Sequence, residues 1–137
     1  FAIDEGCLVI HAPYLSKNPI KSNDRVDLIS PTGFVWLGRS DYVINSGGIK
    51  LHPEQIEDKL TLLFNRPVLV FGIPDNDLGE SLAVVFEGVI PDRCVQVIND
   101  SNLFERYQKP KNIFCLPEFV RSNDKLMRRQ TFELFNN

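Results

Sequence analysis

Residues 38–57 read GRSDYVINSGGIKLHPEQIE, and this stretch decides how the second part of the chain folds. Two short β-prone segments, Tyr42-Val43-Ile44 and Ile49-Lys50-Leu51, flank the polar and glycine-rich segment Asn45-Ser46-Gly47-Gly48. Glycine tolerates positive φ, and two-residue hairpin turns require it. The stretch therefore predicts a β-hairpin whose turn contains the glycine pair.

A helix is predicted to follow the hairpin, beginning at Pro53, where the missing N–H of proline costs nothing. Glu54 and Glu57 fall in its first turn, where the helix dipole favours acidic residues. We interpret both as helix-start residues without a catalytic role. The apolar residues that recur on one face of this helix are Ile56, Leu60 and Leu63.

Apolar segments further along the chain predict a small sheet. Residues 68–71 are apolar on both faces, which indicates a covered central strand, and residues 72–77 are rich in turn formers. Further strands are predicted at 81–86 and 113–116, a partly helical stretch at 92–107, and a closing helix at 128–135. The order indicates an α+β fold with a β-hairpin and a central three-stranded sheet flanked by helices.

Residues 1–38 have a different sequence pattern, which predicts short strands separated by turns. Two or three strands cannot bury both of their faces alone, because isolated hairpins are only marginally stable in water. These strands are therefore expected to be the edge of a larger sheet or barrel. The chain begins at Phe1 and its only methionine is Met127, so we expect an excised piece of a longer protein.

Composition narrows the class of protein. The chain has 137 residues, 43% hydrophobic and 24% charged, which is typical of a globular domain. No apolar run approaches the roughly 20 residues that span a bilayer, so no membrane partner is expected. The three cysteines are widely separated and two distant histidines form no ligand cluster, which predicts a reducing cytoplasmic location and no metal site.

Charge is distributed unevenly along the chain. Residues 1–100 carry 8 basic and 14 acidic side chains, whereas residues 101–137 carry 7 basic and 4 acidic ones. This basic excess is too small for a nucleic-acid interface, so no nucleic-acid partner is expected. A weakly basic tail is usually a solvated surface, but it can also complement the phosphates of a small ligand.

Several blocks in a fixed order resemble the adenylate-forming superfamily of acyl-CoA synthetases, luciferase-like enzymes and peptide-synthetase adenylation domains. Gly38-Arg39-Ser40-Asp41 is similar to the segment that joins the large N-terminal body of these enzymes to a small C-terminal lid. Asp24 stands fifteen residues before Arg39, as the family's ribose-binding aspartate does, although Ser22-Asn23 replaces the usual Thr-Gly. Ser46-Gly47-Gly48 follows where the family has a glycine loop.

The resemblance continues to the end of the chain. Gly72-Ile73-Pro74-Asp75 and Gly79-Glu80 resemble the family's sheet edges, and Tyr107-Gln108-Lys109-Pro110 resembles its approach to the last strand. Leu116-Pro117, followed by Lys125 with Arg128 and Arg129, is similar to the terminal motif that carries the catalytic lysine. The resemblance implies that residues 1–38 are the end of a nucleotide-binding N-terminal domain and residues 39–137 a mobile lid domain.

The resemblance also implies a reaction in two halves, in which a small carboxylic acid and ATP give acyl-AMP and CoA then takes the acyl group. Asp24 and Arg39 would hold the ribose, and Asp41 would be the hinge. Lys125 would be the catalytic residue of the first half-reaction, and Ser46-Gly47-Gly48 would line the pantetheine path in the second. Mg²⁺ is expected with ATP, without a ligand in this chain, and the fragment alone is expected to be inactive.

Simpler interpretations stand beside these roles. Taken singly, Asp24 is a turn residue, Arg39 a surface charge and Lys125 a solvated lysine. Asp124 replaces the glycine that the family prefers before its lysine, although aspartate tolerates the left-handed region. This departure favours one alternative, a degenerate, non-catalytic lid that docks on a partner. An adenylation domain that loads a carrier protein is a further alternative.

Overall fold

The computed structural model describes residues 1–110 and 112–136. It divides into two compact units, Phe1–Val43 and Ile44–Asn137. The boundary between the units thus follows residue 43, a few residues beyond the predicted boundary at 38/39. The assignment of the two parts to domains of a larger enzyme stays a prediction.

The first unit is a four-stranded antiparallel sheet in the order β1-β2-β3-β4. A short 3-10 turn, Ser40–Tyr42, follows its last strand. The second strand begins directly after Gly6, and the third, with 11 residues, is the longest of the four. The strands are β1 (Ala2–Asp4), β2 (Cys7–Ile10), β3 (Ile20–Ser30) and β4 (Gly33–Arg39).

The second unit opens with the predicted β-hairpin, formed by β5 (Ile44–Ser46) and β6 (Ile49–Leu51). Its turn residues Gly47 and Gly48 have φ values of +58° and +82°, which explains why glycine occupies both positions. The first strand begins later than predicted, because Tyr42 belongs to the 3-10 turn.

Helix α1 (Pro53–Phe64) begins at the predicted proline and ends where Asn65 adopts φ +50°. Ile56 and Leu60 are fully buried on its inner face. Burying each such side chain contributes about 1.5–3 kcal/mol, so packing rather than intrinsic propensity holds the helix in place. The predicted helix is confirmed.

The hairpin joins a three-stranded sheet made of β7 (Val68–Asp75), β8 (Gly79–Glu87) and β9 (Asn112–Leu116). Strand β8 is its centre, antiparallel to β7 and parallel to β9, and Ser46 of β5 pairs with Gly79. The prediction that residues 68–71 form the central strand is wrong, because β7 is at the edge of the sheet. The prediction of a turn at 72–77 is also wrong in part, since residues 72–75 continue β7 and the turn occupies 76–78.

Strand β7 is apolar on both faces because each face is covered. Val68 and Val70 pack with α1 and α2 (Cys94–Asp100) in one core cluster. On the other face, Leu69 and Phe71 pack with Phe132 and neighbouring side chains of α3 (Arg128–Asn136).

The remaining elements connect these layers. A second 3-10 turn, Arg106–Gln108, precedes β9, and a small hairpin of β10 (Arg121–Ser122) and β11 (Lys125–Leu126) precedes α3. The mixed α+β class is therefore confirmed. Within the described part of the chain, no helix has the length and apolar character needed to cross a membrane.

Candidate functional site

The register of β3 and β4 places Asp24 directly opposite Arg39 in the first unit. Trp36 donates its indole N–H to Oδ1 of Asp24 at 3.2 Å. The Ser22 hydroxyl accepts the backbone N–H of Asp24 at 3.2 Å, which fixes the start of this segment. The two residues predicted to hold a ribose are thus neighbours in space, although fifteen positions separate them in sequence.

Asp41 lies in the 3-10 turn and forms an ion pair with Arg39, with 3.0 Å between Nη2 and Oδ2. The Arg39 guanidinium lowers the pKa of the Asp41 carboxyl, and both side chains are about two-fifths exposed, at 40% and 36%. Arg39 also lies over the ring of Tyr42, 6.0 Å from its centroid. The predicted hinge residue and a predicted ribose ligand are therefore in direct contact.

The Ser46-Gly47-Gly48 turn is held against the start of β8. Gly47 donates its N–H to the Leu78 carbonyl at 2.8 Å, and a Cβ at Gly47 would lie 3.1 Å from Cδ2 of Leu78. Side chains other than hydrogen would therefore crowd Leu78 as well as strain the positive φ. A Cβ at Gly48 would meet no atom within 4 Å, so at that position only the positive φ favours glycine.

A cavity of about 490 Å³ opens beside this turn. Ser46, Gly47 and Ile49 line this cavity together with a basic and aromatic group of residues that we call the basic wall, Arg106, Tyr107 and Lys109. Sequence reasoning noted the 107–110 block but did not place it at the glycine turn. The excess of basic residues after residue 100 is the signal in the sequence that agrees with this wall.

Lys125 lies in β11, opposite Ser122, in the small hairpin that precedes α3. The two residues of its turn, Asn123 and Asp124, have φ values of +51° and +63°. Asp124 therefore adopts the left-handed conformation that glycine would occupy, as the tolerance of aspartate for this region predicts. The Lys125 side chain is exposed to solvent.

The hairpin carrying Lys125 is attached to the end of β8 by an ion pair. Arg121 donates to both carboxylate oxygens of Glu87, with 2.8 Å between Nη2 and Oε1. Glu87 also accepts the backbone N–H of Phe119 at 2.7 Å. The Arg121 guanidinium and this N–H both lower the pKa of Glu87 below its ordinary value of 4.5.

A pH dependence of stability follows from this lowered pKa. Because the folded state favours the charged carboxylate, Glu87 stabilises the fold above pH 4.5, and this contribution is lost as pH falls through the folded-state pKa. Urea unfolding of the wild-type chain and of Glu87→Gln should therefore differ most near neutral pH and converge in acid. A difference that persists unchanged in acid would contradict the role of this charge.

The two candidate sites of the second unit lie at opposite ends of β8. The glycine turn pairs with Gly79 at its start, and the Lys125 hairpin is attached through Glu87 at its end. A strand of nine residues is about 26 Å long at ~3.3 Å per step. The fold therefore brings Asp24, Arg39 and Asp41 together but separates the glycine turn from the lysine hairpin.

Within residues 1–110 and 112–136, no three histidine, cysteine, aspartate or glutamate side chains converge as a possible metal site. The three cysteines are free thiols, with Cys7 and Cys94 buried and Cys115 exposed.

Comparison with known proteins gives a consistent set of relatives. The chain is 31% identical over 104 residues to a 4-chlorobenzoate–CoA ligase of an Arthrobacter species, covering 71% of the chain and 19% of the relative. It is 32% identical over 106 residues to a medium/long-chain-fatty-acid and 3-oxocholest-4-en-26-oate–CoA ligase of Mycolicibacterium smegmatis, covering 72% of the chain and 19% of that ligase. The chain therefore spans about a fifth of the curated relatives it matches. No protein-family model matches it.

Solved structures agree with these relatives. An AMP-forming acyl-CoA synthetase-like protein from Dyadobacter fermentans is 30% identical with a TM-score of 0.63, covering 97% of this chain and 40% of that one. The o-succinylbenzoate–CoA synthetase of Bacillus subtilis, in complex with its acyl-adenylate intermediate, gives a TM-score of 0.71 at 24% identity, over 84% of this chain and 24% of that one. The second similarity concerns the fold alone.

Proposed function

Because this chain belongs to the adenylate-forming acyl-CoA synthetase family and corresponds to the C-terminal part of its members, we propose that it serves an ATP-dependent acid–CoA ligase. In the first half-reaction, a carboxylate attacks the α-phosphate of ATP, giving acyl-AMP and releasing pyrophosphate. In the second, the CoA thiol attacks the acyl carbon and AMP leaves. ATP and CoA are both substrates in this proposal.

The observation that carries the proposal is the separation of two candidate sites along β8. The glycine turn is at one end of the strand and the Lys125 hairpin is attached at the other. One orientation of this unit cannot present both groups to the same reacting carbon. A unit that turns between two half-reactions can do so, and such motions are absorbed by a few residues at a hinge.

Lys125 suits the first half-reaction. Negative charge builds on the phosphoryl oxygens as pyrophosphate leaves, and a compact ammonium on a flexible stem can meet both the carboxylate and the phosphate. The exposed position of Lys125 at a hairpin leaves its amine able to reach outward.

The glycine turn and its cavity suit the second half-reaction. The turn lines the cavity without large side chains at Gly47 and Gly48, and the basic wall supplies the cationic side chains of Arg106 and Lys109 and the ring of Tyr107. Cationic side chains attract phosphates, and an aromatic face offers a stacking surface for a base. We propose that the pantetheine arm passes the Ser46-Gly47-Gly48 turn, with the basic wall facing the phosphorylated end of CoA.

The first unit completes the nucleotide site in this proposal. Asp24 and Arg39 lie opposite each other on adjacent strands, where a carboxylate and a guanidinium can share the hydroxyls of one ribose. Asp41, which is paired with Arg39, would be the hinge that absorbs the backbone change. Mg²⁺ is expected with ATP and is assigned no ligand in this chain.

The proposal requires a partner domain that precedes this chain and supplies the acyl and adenine pockets. Apolar side chains exposed on the β3–β4 hairpin, including Ile29, Val35 and Trp36, offer a surface for such a domain. The acid is proposed to be a small carboxylic acid. The block Asn45–Lys50 favours o-succinylbenzoate, which would place the enzyme in menaquinone biosynthesis in the cytoplasm.

The test compares the 137-residue chain with the whole protein that contains it. The whole protein is expected to release pyrophosphate with o-succinylbenzoate, and the chain alone is expected to release none. A panel of aromatic and fatty acids identifies the substrate if o-succinylbenzoate is not used. Robust acyl-AMP formation by the isolated chain would overturn the proposal that adenylation requires a preceding domain.

The acceptor separates the remaining alternatives. Transfer of the acyl group to free CoA supports the ligase, whereas transfer to a carrier protein alone supports an adenylation domain. A whole protein that forms no acyl-AMP with any acid would instead favour a degenerate lid that docks on a partner.

A further inference from the structure

A buried ion pair connects the first turn of α3 to α1. Arg128 donates from Nη1 to Oε1 of Glu57 at 2.9 Å, and its Nη2 lies 2.7 Å from Oε2. Both side chains are only 14% exposed. Burial raises the pKa of Glu57, whereas the guanidinium of Arg128 opposes that change. Bidentate contacts between a guanidinium and a carboxylate fix the relative orientation of the two side chains as well as bringing their charges together.

The same pair occupies the open edge of β7. The backbone N–H of Val70 donates to Oε2 of Glu57 at 2.8 Å, and the Val70 carbonyl accepts from Nη2 of Arg128 at 2.7 Å. Arg128 also lies over the ring of Phe71, 5.4 Å from its centroid. Arg128 is therefore held by a carboxylate, a carbonyl and an aromatic face at once.

This arrangement fixes the α3 end of the Lys125 hairpin, whose first strand is held to β8 by the Arg121–Glu87 ion pair. The hairpin is closed at its base by the Met127 N–H donating to the Val120 carbonyl at 2.8 Å. The fully buried hydroxyl of Thr131 then accepts from the Val120 N–H and donates to the Met127 carbonyl. The base is thus fixed to α3, and α3 is fixed to α1 and β7 through Arg128. Lys125 is three residues from that attachment.

We propose that Glu57 and Arg128 are positioning residues for adenylation, because their ion pair sets the position of the hairpin that presents Lys125. This inference rests on the proposed function. Both side chains are largely buried, so the proposal gives them no contact with substrate. Their effect reaches the reaction through the attachment of α3, and a misplacement of about 1 Å at a reacting group can cost about 10²-fold in rate.

The experiment measures the two half-reactions separately in the whole enzyme. Adenylation is followed by pyrophosphate release, and thioester formation is followed with chemically prepared acyl-AMP and CoA. Glu57→Gln removes the negative charge. Arg128→Lys keeps the positive charge but loses the two parallel N–H groups with which the guanidinium binds the carboxylate. Both variants are expected to lower adenylation about 10- to 100-fold and to leave thioester formation near the wild-type rate.

A milder variant and a matched control complete the design. Glu57→Asp keeps the carboxylate but shortens its reach, so it is expected to show the same selective loss even if Glu57→Gln folds poorly. Asp58→Asn removes one negative charge from the next, exposed position of α1 and is expected to leave both half-reactions unchanged. In a Lys125→Ala background, Glu57→Asp is expected to cause no further loss of adenylation.

Each outcome decides a different question. An equal loss in both half-reactions would mean that the pair only stabilises the fold, and would overturn the inference. Unchanged adenylation in Glu57→Asp and Arg128→Lys would overturn it as well, while the wild-type enzyme still shows the proposed activity. A wild-type enzyme without adenylation would overturn the proposed function, and with it the inference.

Discussion

Replacing Lys125 with alanine in the whole enzyme is expected to lower the rate of acyl-AMP formation by about 10²–10³-fold. This loss corresponds to about 3–4 kcal/mol of transition-state stabilisation from one preorganised charged contact. Thioester formation from supplied acyl-AMP is expected to stay near the wild-type rate, because the hairpin and the glycine turn lie at opposite ends of β8. Single-turnover measurements of pyrophosphate release and of thioester formation give the two rates separately.

A matched control lies across the same hairpin. Ser122 pairs with Lys125 in the register of β10 and β11 and is also exposed, so Ser122→Ala tests the hairpin without removing the amine. Its two half-reactions are expected to match the wild type. If adenylation is unaffected in Lys125→Ala, this unit is a cover over the reaction and Lys125 is not catalytic.

Replacing Leu60 with alanine is expected to lower the free energy of unfolding by about 2–5 kcal/mol. Leu60 is fully buried in the core cluster between α1 and the sheet, so the substitution removes buried methyl groups and leaves a cavity. Urea unfolding of the 137-residue chain, followed by circular dichroism, measures the change. The effect is large because stabilities of single domains are only about 5–15 kcal/mol.

The control for this prediction lies on the same helix. Leu62 is 79% exposed, so Leu62→Ala makes the same chemical change on the outer face of α1. Its free energy of unfolding is expected to stay within about 0.5 kcal/mol of the wild type. Equal effects of the two substitutions would contradict the position of α1 against the sheet.

The elements that local sequence specifies were predicted well. The glycine pair at 47–48 and the proline at 53 fixed a hairpin turn and a helix start, because few other conformations suit those residues. Strand β7 shows the limit of this reasoning. A doubly apolar segment indicates two covered faces, and α1 and α3 provide them, but the pattern does not reveal which strand lies between two others.

The residues of the candidate sites are likewise only partly predictable from the sequence. Lys125, Gly47, Asp24 and Arg39 were identified through ordered motifs, and their roles remain predictions. The basic wall of the cavity could not be placed from sequence, since Arg106 and Gly47 line one cavity only through the tertiary fold.

The interpretation of Glu57 as a residue of the first helical turn is wrong, because only Glu54 lies in that turn and Glu57 pairs with Arg128, 71 positions away in sequence. No local pattern links the two. A buried carboxylate requires a buried cation, but only the packing of α3 shows which cation it is.

The contacts of Glu57 and Arg128 with the edge of β7 also favour solubility. An edge strand with unpaired N–H and C=O groups is a template on which another copy of the chain can add a strand and begin to aggregate. Glu57 and Arg128 already engage both polar groups of Val70, and Pro74 further along β7 has no N–H to offer. The pair that we propose to orient the hairpin therefore also discourages intermolecular β-pairing.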